Sequence, residues 1–246
     1  MIPVEQTYIA YLRYIESQKN REGKFHHPSS AGRCIKIHQY HWNGADSQPM
    51  DAKGMKITRL GTIVGDDIES AMEWYWNTPN AKDFADVPIN PVGKLLTQYK
   101  IELPELHVKG TLDIAIIHDA KLWITDLKTA ASYKWKMMFG RNKEPDNGIY
   151  QKQVATYAMG VMLQNPEIKE ARMMLDYYKK DDSTMRQITI NNEVIDETVE
   201  YWNMVNQNLE EELRAGVDLG VPMQSWECNY CNYSHICPSP FKKGKK

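Results

Sequence analysis

Three sets of residues in this 246-residue chain have the types and spacing to do chemistry. The first lies in Lys109–Ala130, KGTLDIAIIHDAKLWITDLKTA, where Asp113 interrupts an apolar run and Asp126-x-Lys128 ends the next one. The second is Gln153 and Tyr157, four apart and so on one face of a helix. The third is Cys228-x2-Cys231-x5-Cys237, with Cys34 nearly two hundred residues earlier and no cysteine left over.

Acids are disfavoured in strands and costly beside apolar neighbours, so a structural role accounts poorly for Asp113 and Asp126. On a bent hairpin the two carboxylates can converge on one divalent cation, as hard oxygen ligands of Mg²⁺ or Mn²⁺. Such a metal polarises a phosphate oxygen and acidifies a bound water. Strand alternation puts Lys128 on the face of Asp126, where its charge can stand beside that water or the developing phosphorane. The plain alternative is a solvated hairpin end with a chance D-x-K triplet.

The cysteines carry metal spacing rather than core spacing. Three thiolates need a fourth ligand, and Cys34 would clip the N-terminal region to the C-terminus. Closing so long a loop is worth roughly 4–5 kcal/mol by analogy with disulfides. Four thiolates suit zinc or an iron–sulfur cluster. Zinc sites usually arrive as two close pairs, so one distant cysteine plus a trio followed by Pro238 leans toward a cluster, with zinc as the alternative. His235 is the other possible fourth ligand, and free structural cysteines are the plain reading.

The elements that must position these residues are readable from periodicity. Val108–Ile117 and Leu122–Leu127 form a hairpin about His118–Lys121, preceded by a strand at Lys94–Leu103. Thr58–Trp76 forms a helix with a wide apolar face (Leu60, Ile63, Val64, Ile68, Met72, Tyr75). Gly61 and Gly65 leave a strip of it without side chains, either for close packing or for access to a metal or phosphate. Asp66 and Glu69 lie beside that strip, and Glu69 is the candidate third metal ligand. Thr129–Pro145 reads as a basic, aromatic loop (Lys134, Trp135, Lys136, Phe139, Arg141, Lys143) that could line a groove for single-stranded nucleic acid or be a solvated loop with aromatic anchors into the core. Gly148–Gln164 is a helix leading to a strand at Arg172–Lys180, parallel to Leu122–Leu127 through a crossover. Met185–Ile190 is its antiparallel partner, and Glu193–Ala215 is a long helix capped by Asn191 or Asn192 and ended by Gly216. Helices at Val4–Gln18 and Ile35–Trp42 precede all of this, and a basic tail ends the chain.

Composition sets bounds. With 42% apolar and 25% charged residues, the chain suits one large globular domain, or a core with an appended lobe. Its net charge of −2 gives no global basic field, so any nucleic-acid surface must be a local groove. No apolar run approaches a membrane span. The N-terminus lacks the pattern of a secretory signal, so a cytoplasmic protein without structural disulfides is expected.

Asp113, Asp126-x-Lys128, Gln153-x-x-x-Tyr157 and the four cysteines together resemble the RecB-like branch of the PD-(D/E)XK nuclease superfamily. They are most similar to its iron–sulfur members, which include CRISPR-associated RecB-like exonucleases and the AddB nuclease domain. The resemblance runs from Cys34 to Cys237. It implies an α/β, restriction-endonuclease-like fold: a mixed sheet flanked by helices, with a cysteine-bound cluster lobe joining the N- and C-terminal regions. One domain over residues 1–246 would have its core at about 58–190 and its cluster lobe in 29–45 and 216–240.

The resemblance also implies Mg²⁺- or Mn²⁺-dependent cleavage of DNA, often from single-strand ends. Asp113 and Asp126 would be metal ligands, Lys128 would assist the nucleophilic water, and Gln153 and Tyr157 would orient the site or the DNA. Cys34, Cys228, Cys231 and Cys237 would hold a 4Fe–4S cluster. Related nucleases serve recombination, phage replication and CRISPR adaptation, so protein partners from those systems are expected. One departure stands out. The family often writes G-x-x-x-H-x-x-x-E on the helix before the sheet, with the histidine on metal, and here Gly65 occupies that position between Gly61 and Glu69. Glu69 or Asp66 would have to substitute, or else the fold would serve as a non-catalytic nucleic-acid-binding or assembly subunit.

Overall fold

Three helices precede the sheet. In a computed structural model, which describes residues 3–18, 23–86, 90–141, 148–210 and 226–239, they are α1 (Val4–Ser17), α2 (Ile35–Trp42) and α3 (Ala52–Asn77). The last starts six residues before the expected Thr58, because the Asp51 carboxylate accepts the Gly54 N–H at 2.6 Å and caps the helix. Runs of alternating apolar residues then build β1 (Lys94–Leu103), β2 (Val108–His118) and β3 (Lys121–Ala130). Asp119 and Ala120 join β2 to β3 with both residues left-handed (φ 48° and 56°), the geometry of a two-residue hairpin turn.

Two further helices follow, α4 (Ser132–Phe139) and α5 (Ile149–Gln164). The basic, aromatic stretch after Lys128 is therefore not a loop throughout. Its start extends β3, and Trp135 anchors α4 by burying its ring. The chain continues as β4 (Glu170–Lys179), β5 (Met185–Ile190) and α6 (Glu193–Glu210). Asn191 Oδ1 accepts the Glu193 N–H at 3.2 Å ahead of α6. The expected end of this helix at Ala215 and Gly216, and the basic tail, lie outside the described residues.

The sheet order is β1-β2-β3-β4-β5, with only β3 and β4 parallel. That one parallel pair follows from α5, which crosses over between them as expected. The helix lies on one sheet face and buries Val154, Ala158 and Val161 against Leu112, Leu122, Ile124, Met173 and Leu175. Each of the larger of these side chains contributes about 1.5–3 kcal/mol on leaving water. Contact is close enough that a Cβ on Gly160 would come within 2.6 Å of Ile101 Cβ.

On the other sheet face α3 lies over β1, β2 and β3. Its expected apolar face is only partly used, since Leu60 and Ile63 remain exposed. Among the described residues, no helix is long and apolar enough to cross a membrane.

A second small core sits beside the sheet, where Ala31, Leu103 and Val108 meet Tyr201, Trp202 and Val205 of α6. The C-terminal segment 226–239 returns to α2. The Cys34 N–H donates to Glu227 Oε1 at 2.8 Å, the Gln48 N–H donates to the Asn232 carbonyl at 2.8 Å, and the Tyr40 and Tyr233 rings stand 5.2 Å apart. Residues from 29–45 and from the described part of 216–240 thus touch.

Candidate active site

The site begins where the sheet stops pairing. The β2–β3 ladder runs from His118↔Lys121 to Ile114↔Thr125 and ends there, one residue short of Asp113 and Asp126. On the other side of β2, Thr97↔Ile114 and Tyr99↔Leu112 pair, but Gln98, which faces Asp113 between them, does not. Gln98 is left-handed (φ 47°), a conformation that costs a non-glycine residue about 1–2 kcal/mol. The ladder is therefore broken on both flanks of Asp113. Beyond the break β2 follows β1 while β3 follows β4, and the Asp113 carboxylate enters the fork to accept the Leu127 N–H at 3.4 Å.

Lys128 and Asp126 share a face of β3, as alternation predicts, with Nζ 2.5 Å from Asp126 Oδ2. The buried Gln153 of α5 bridges them. Its Nε2 donates to Asp126 Oδ1 at 2.9 Å, and its Oε1 accepts from Lys128 Nζ at 3.0 Å. Asp126 is only 2% exposed, and its Oδ2 meets the lysine in ion contact without an aligned hydrogen bond. Tyr157, one helical turn on, is buried beside Gln153, Asp126 and Asp113.

Glu69 reaches the same place from α3. It is 8% exposed and accepts from Gln98 Nε2 at 2.5 Å. The helix passes close to β3 at Gly61, where a Cβ would stand 3.2 Å from Thr129 Oγ1. The packing reading thus holds for Gly61. Gly65 differs, since a Cβ there would meet no atom within 4 Å. Both glycines, Asp66, Glu69, Gln98, Asp113 and Lys128 line one cleft of about 540 Å³.

Electrostatics follow from this crowding. Burial, then the neighbouring Asp126, pushes the Asp113 carboxyl up to about 7 against the pull of Lys128, and Glu69 adds to the rise. Burial raises Asp126 despite its lysine, and raises Glu69 despite Gln98. Burial and the two aspartates also raise the Tyr157 phenol. Three neighbouring carboxyls thus resist ionisation, and a positive charge brought among them would favour their ionised forms. As they stand, each faces a protein donor. Among the described residues, no three His, Cys, Asp or Glu side chains form a group that could hold a metal ion.

The structure thus places Glu69, Asp113 and Lys128 on one cleft, with Asp126, Gln153 and Tyr157 buried directly behind Lys128 and Asp113. Three cleft residues escaped the sequence reading: Gln98, Tyr150 and Lys180. Gln98 carries no local signal, because its role rests on a broken ladder. Tyr150 lies three residues before Gln153 on the same helix face, a spacing that could have flagged it. Its ring centre is 4.8 Å from Lys128 Nζ and 4.7 Å from Lys134 Nζ.

The four cysteines lie elsewhere, lining a small apolar pocket with Ile37, Tyr40 and Glu227. Burial, with Glu227, Cys237 and Cys228 nearby, pushes the Cys34 thiol up to about 11. Cys231 is raised by burial as well. His235 is exposed and does not line this pocket.

A sequence profile of the PD-(D/E)XK nuclease superfamily matches residues 51–238. No curated protein matches the chain. Among solved structures, the protein SSO0001 superposes with a TM-score of 0.50 at 17% identity, covering 96% of each chain, and shares the fold. A candidate exonuclease from Eubacterium rectale gives 0.47 at 17% identity over 91% of each chain. The alkaline exonuclease of Laribacter hongkongensis gives 0.46 at 12% identity, over 76% of this chain and 88% of its own.

Proposed function

Since the chain belongs to the PD-(D/E)XK nuclease superfamily, we propose that it is a Mg²⁺- or Mn²⁺-dependent DNA exonuclease acting on single strands or frayed ends. The observation that carries this reading is the Asp126–Lys128–Gln153 network set beside Asp113 in the open fork of the sheet. Asp113 and Asp126 would hold the cation, with Glu69 as the third carboxylate from α3. When bound, the cation supplies charge to the scissile phosphate and acidifies a water for in-line attack.

The protein's own groups do the rest. Gln153 fixes Asp126 by its amide N–H and Lys128 by its carbonyl, so neither can turn away. Lys128 keeps its ammonium on the carboxylate face, where it can steady the attacking oxygen and the charge that develops on phosphorus. Tyr157 closes the floor and excludes water behind the carboxylates.

One observation favours a second reading, a nucleic-acid-binding or assembly subunit without turnover: the open space at Gly65, where related nucleases place a metal-binding histidine. End-labelled single- and double-stranded DNA incubated with and without Mn²⁺, beside Lys128→Ala, separates the two. Metal-dependent shortening that the variant lacks supports the exonuclease. Binding without shortening in either metal overturns it in favour of the binding subunit.

The cysteine pocket is proposed as a separate structural centre in which Cys34, Cys228, Cys231 and Cys237 hold a 4Fe–4S cluster, or zinc in its place. The support is that all four line one pocket although Cys34 is remote in sequence. Protein purified without oxygen should be brown and lose colour in air if it carries the cluster, and colourless with bound zinc otherwise.

A further inference from the structure

The lysines of the described surface fall into two kinds. Lys56, Lys109, Lys121, Lys152 and Lys179 each stand on an acid: Glu5, Glu102, Glu170, Glu197 and Asp182. Others have no acid partner among the described residues, including Lys180, which lines the cleft, and Lys134, beside it. Lys134 points at the Tyr150 ring, and Lys180 Nζ reaches only the Ile57 carbonyl at 3.4 Å. Lys180 and Tyr150 both line the cleft that holds Asp113 and Lys128.

We propose that Tyr150, Lys134 and Lys180 form the seat of the nucleotide next to the phosphate being cut, the ring taking an unstacked base and the two ammoniums taking the flanking phosphates. This deepens the nuclease reading and rests on it.

Lys134 and Lys128 share the Tyr150 ring, but on different terms. Lys128 is also held by Asp126 and Gln153, so it stays. Lys134 has only the ring, and a half-exposed cation–π contact is weaker than a charge-assisted bond to phosphate. A phosphate entering the cleft draws Lys134 off the ring and uncovers an aromatic face at the same moment. That face accepts a base only when the base is out of the duplex stack. The seat therefore selects single strands and frayed ends, and it does so three residues from Gln153 on the same helix face.

The test uses the full chain with Ca²⁺ in place of Mg²⁺, so that labelled oligonucleotides bind uncut, and follows fluorescence anisotropy across a salt series. Lys134→Ala and Lys180→Ala should each weaken single-strand binding several-fold and lower the slope of log affinity against log salt by about 0.7. Tyr150→Leu should cost about fivefold or more on single strands and little on a blunt duplex, while Tyr150→Phe should bind like wild type. A Tyr150→Phe variant as weak as Tyr150→Leu on both substrates overturns the stacking role. Wild-type binding that none of these substitutions changes overturns the seat but leaves the nuclease reading standing. A wild-type chain that binds no oligonucleotide overturns both.

Discussion

In the cleft, Asp113, Asp126, Lys128, Gln153 and Tyr157 come from about forty-five consecutive residues, whereas the cysteine pocket joins Cys34 to Cys228, Cys231 and Cys237 across most of the chain. The cleft groups are held by the sheet and by one crossover helix, and each carboxylate already has a protein donor. The cysteines are held by the return of a short C-terminal segment onto α2, through contacts such as Cys34 N–H to Glu227. Local order in sequence thus makes a rigid polar site that survives single changes in shape. Remote order makes a clasp whose strength depends on what joins the thiols. Damage to the cleft should remove activity and spare the fold, while damage to the pocket should lower stability first.

The largest expected effect tests the first half of that contrast. Asp126→Ala or Lys128→Ala should lower metal-dependent cleavage by about 10³-fold, with the circular dichroism spectrum and cysteine-centre colour of wild type. Wild-type cutting by both variants would mean the chemistry lies elsewhere. Next comes Cys34→Ser, which opens the clasp. If the four thiols share one centre, stability should fall by about 3–5 kcal/mol in an anaerobic denaturant titration, and the centre should be lost. An unchanged midpoint would reduce the pocket to ordinary packing.

A smaller effect comes from the raised Asp113 carboxyl. Its folded value of about 7 lies above the ordinary 3.8, so the folded protein holds that proton more tightly than the unfolded chain. This contribution is complete below about pH 4 and is lost as pH rises through about 7, roughly 2 kcal/mol after solvent screening. Metal-free protein should show the decline in thermal melts over that window, Asp113→Asn should make it shallower, with the raised Asp126 and Glu69 keeping part of it, and Mn²⁺ should offset it. A wild-type slope in Asp113→Asn would place the shifted group elsewhere.

The smallest effect is expected from Gly65→His. A Cβ there would meet no atom within 4 Å. The Mn²⁺ concentration for half-maximal cleavage should drop several-fold if the imidazole joins the carboxylates, read from a metal titration of initial rates. A rise would show that the cleft needs that space for substrate.

Much of this was legible in the residues. Lys94–Leu103, Met185–Ile190 and Ile35–Trp42 form the elements their patterns predict with the same bounds, because strand alternation, helical periodicity and turn chemistry are local. The stretch after Lys128 read correctly in its aromatic anchor, Trp135, but not in its conformation. Its cations suggested a loop, but burial of Trp135 outweighs the polar residues around it and winds α4. α3 shows the converse, an apolar face that tertiary packing leaves partly bare.

The sequence by itself determined which atoms are available: carboxylates on two successive strands, a lysine two residues after the second, an amide and a phenol one turn apart, four thiols and no fifth. It determined that Asp126 and Lys128 share a face, because alternation admits no other outcome. Only the tertiary structure decided that β2 and β3 part at Asp113, that a left-handed Gln98 turns its amide to Glu69, and that Tyr150 stands between two lysines. Those features depend on where a ladder ends and which helix crosses it, and register between distant segments is set by the burial of the whole core rather than by any local run of residues.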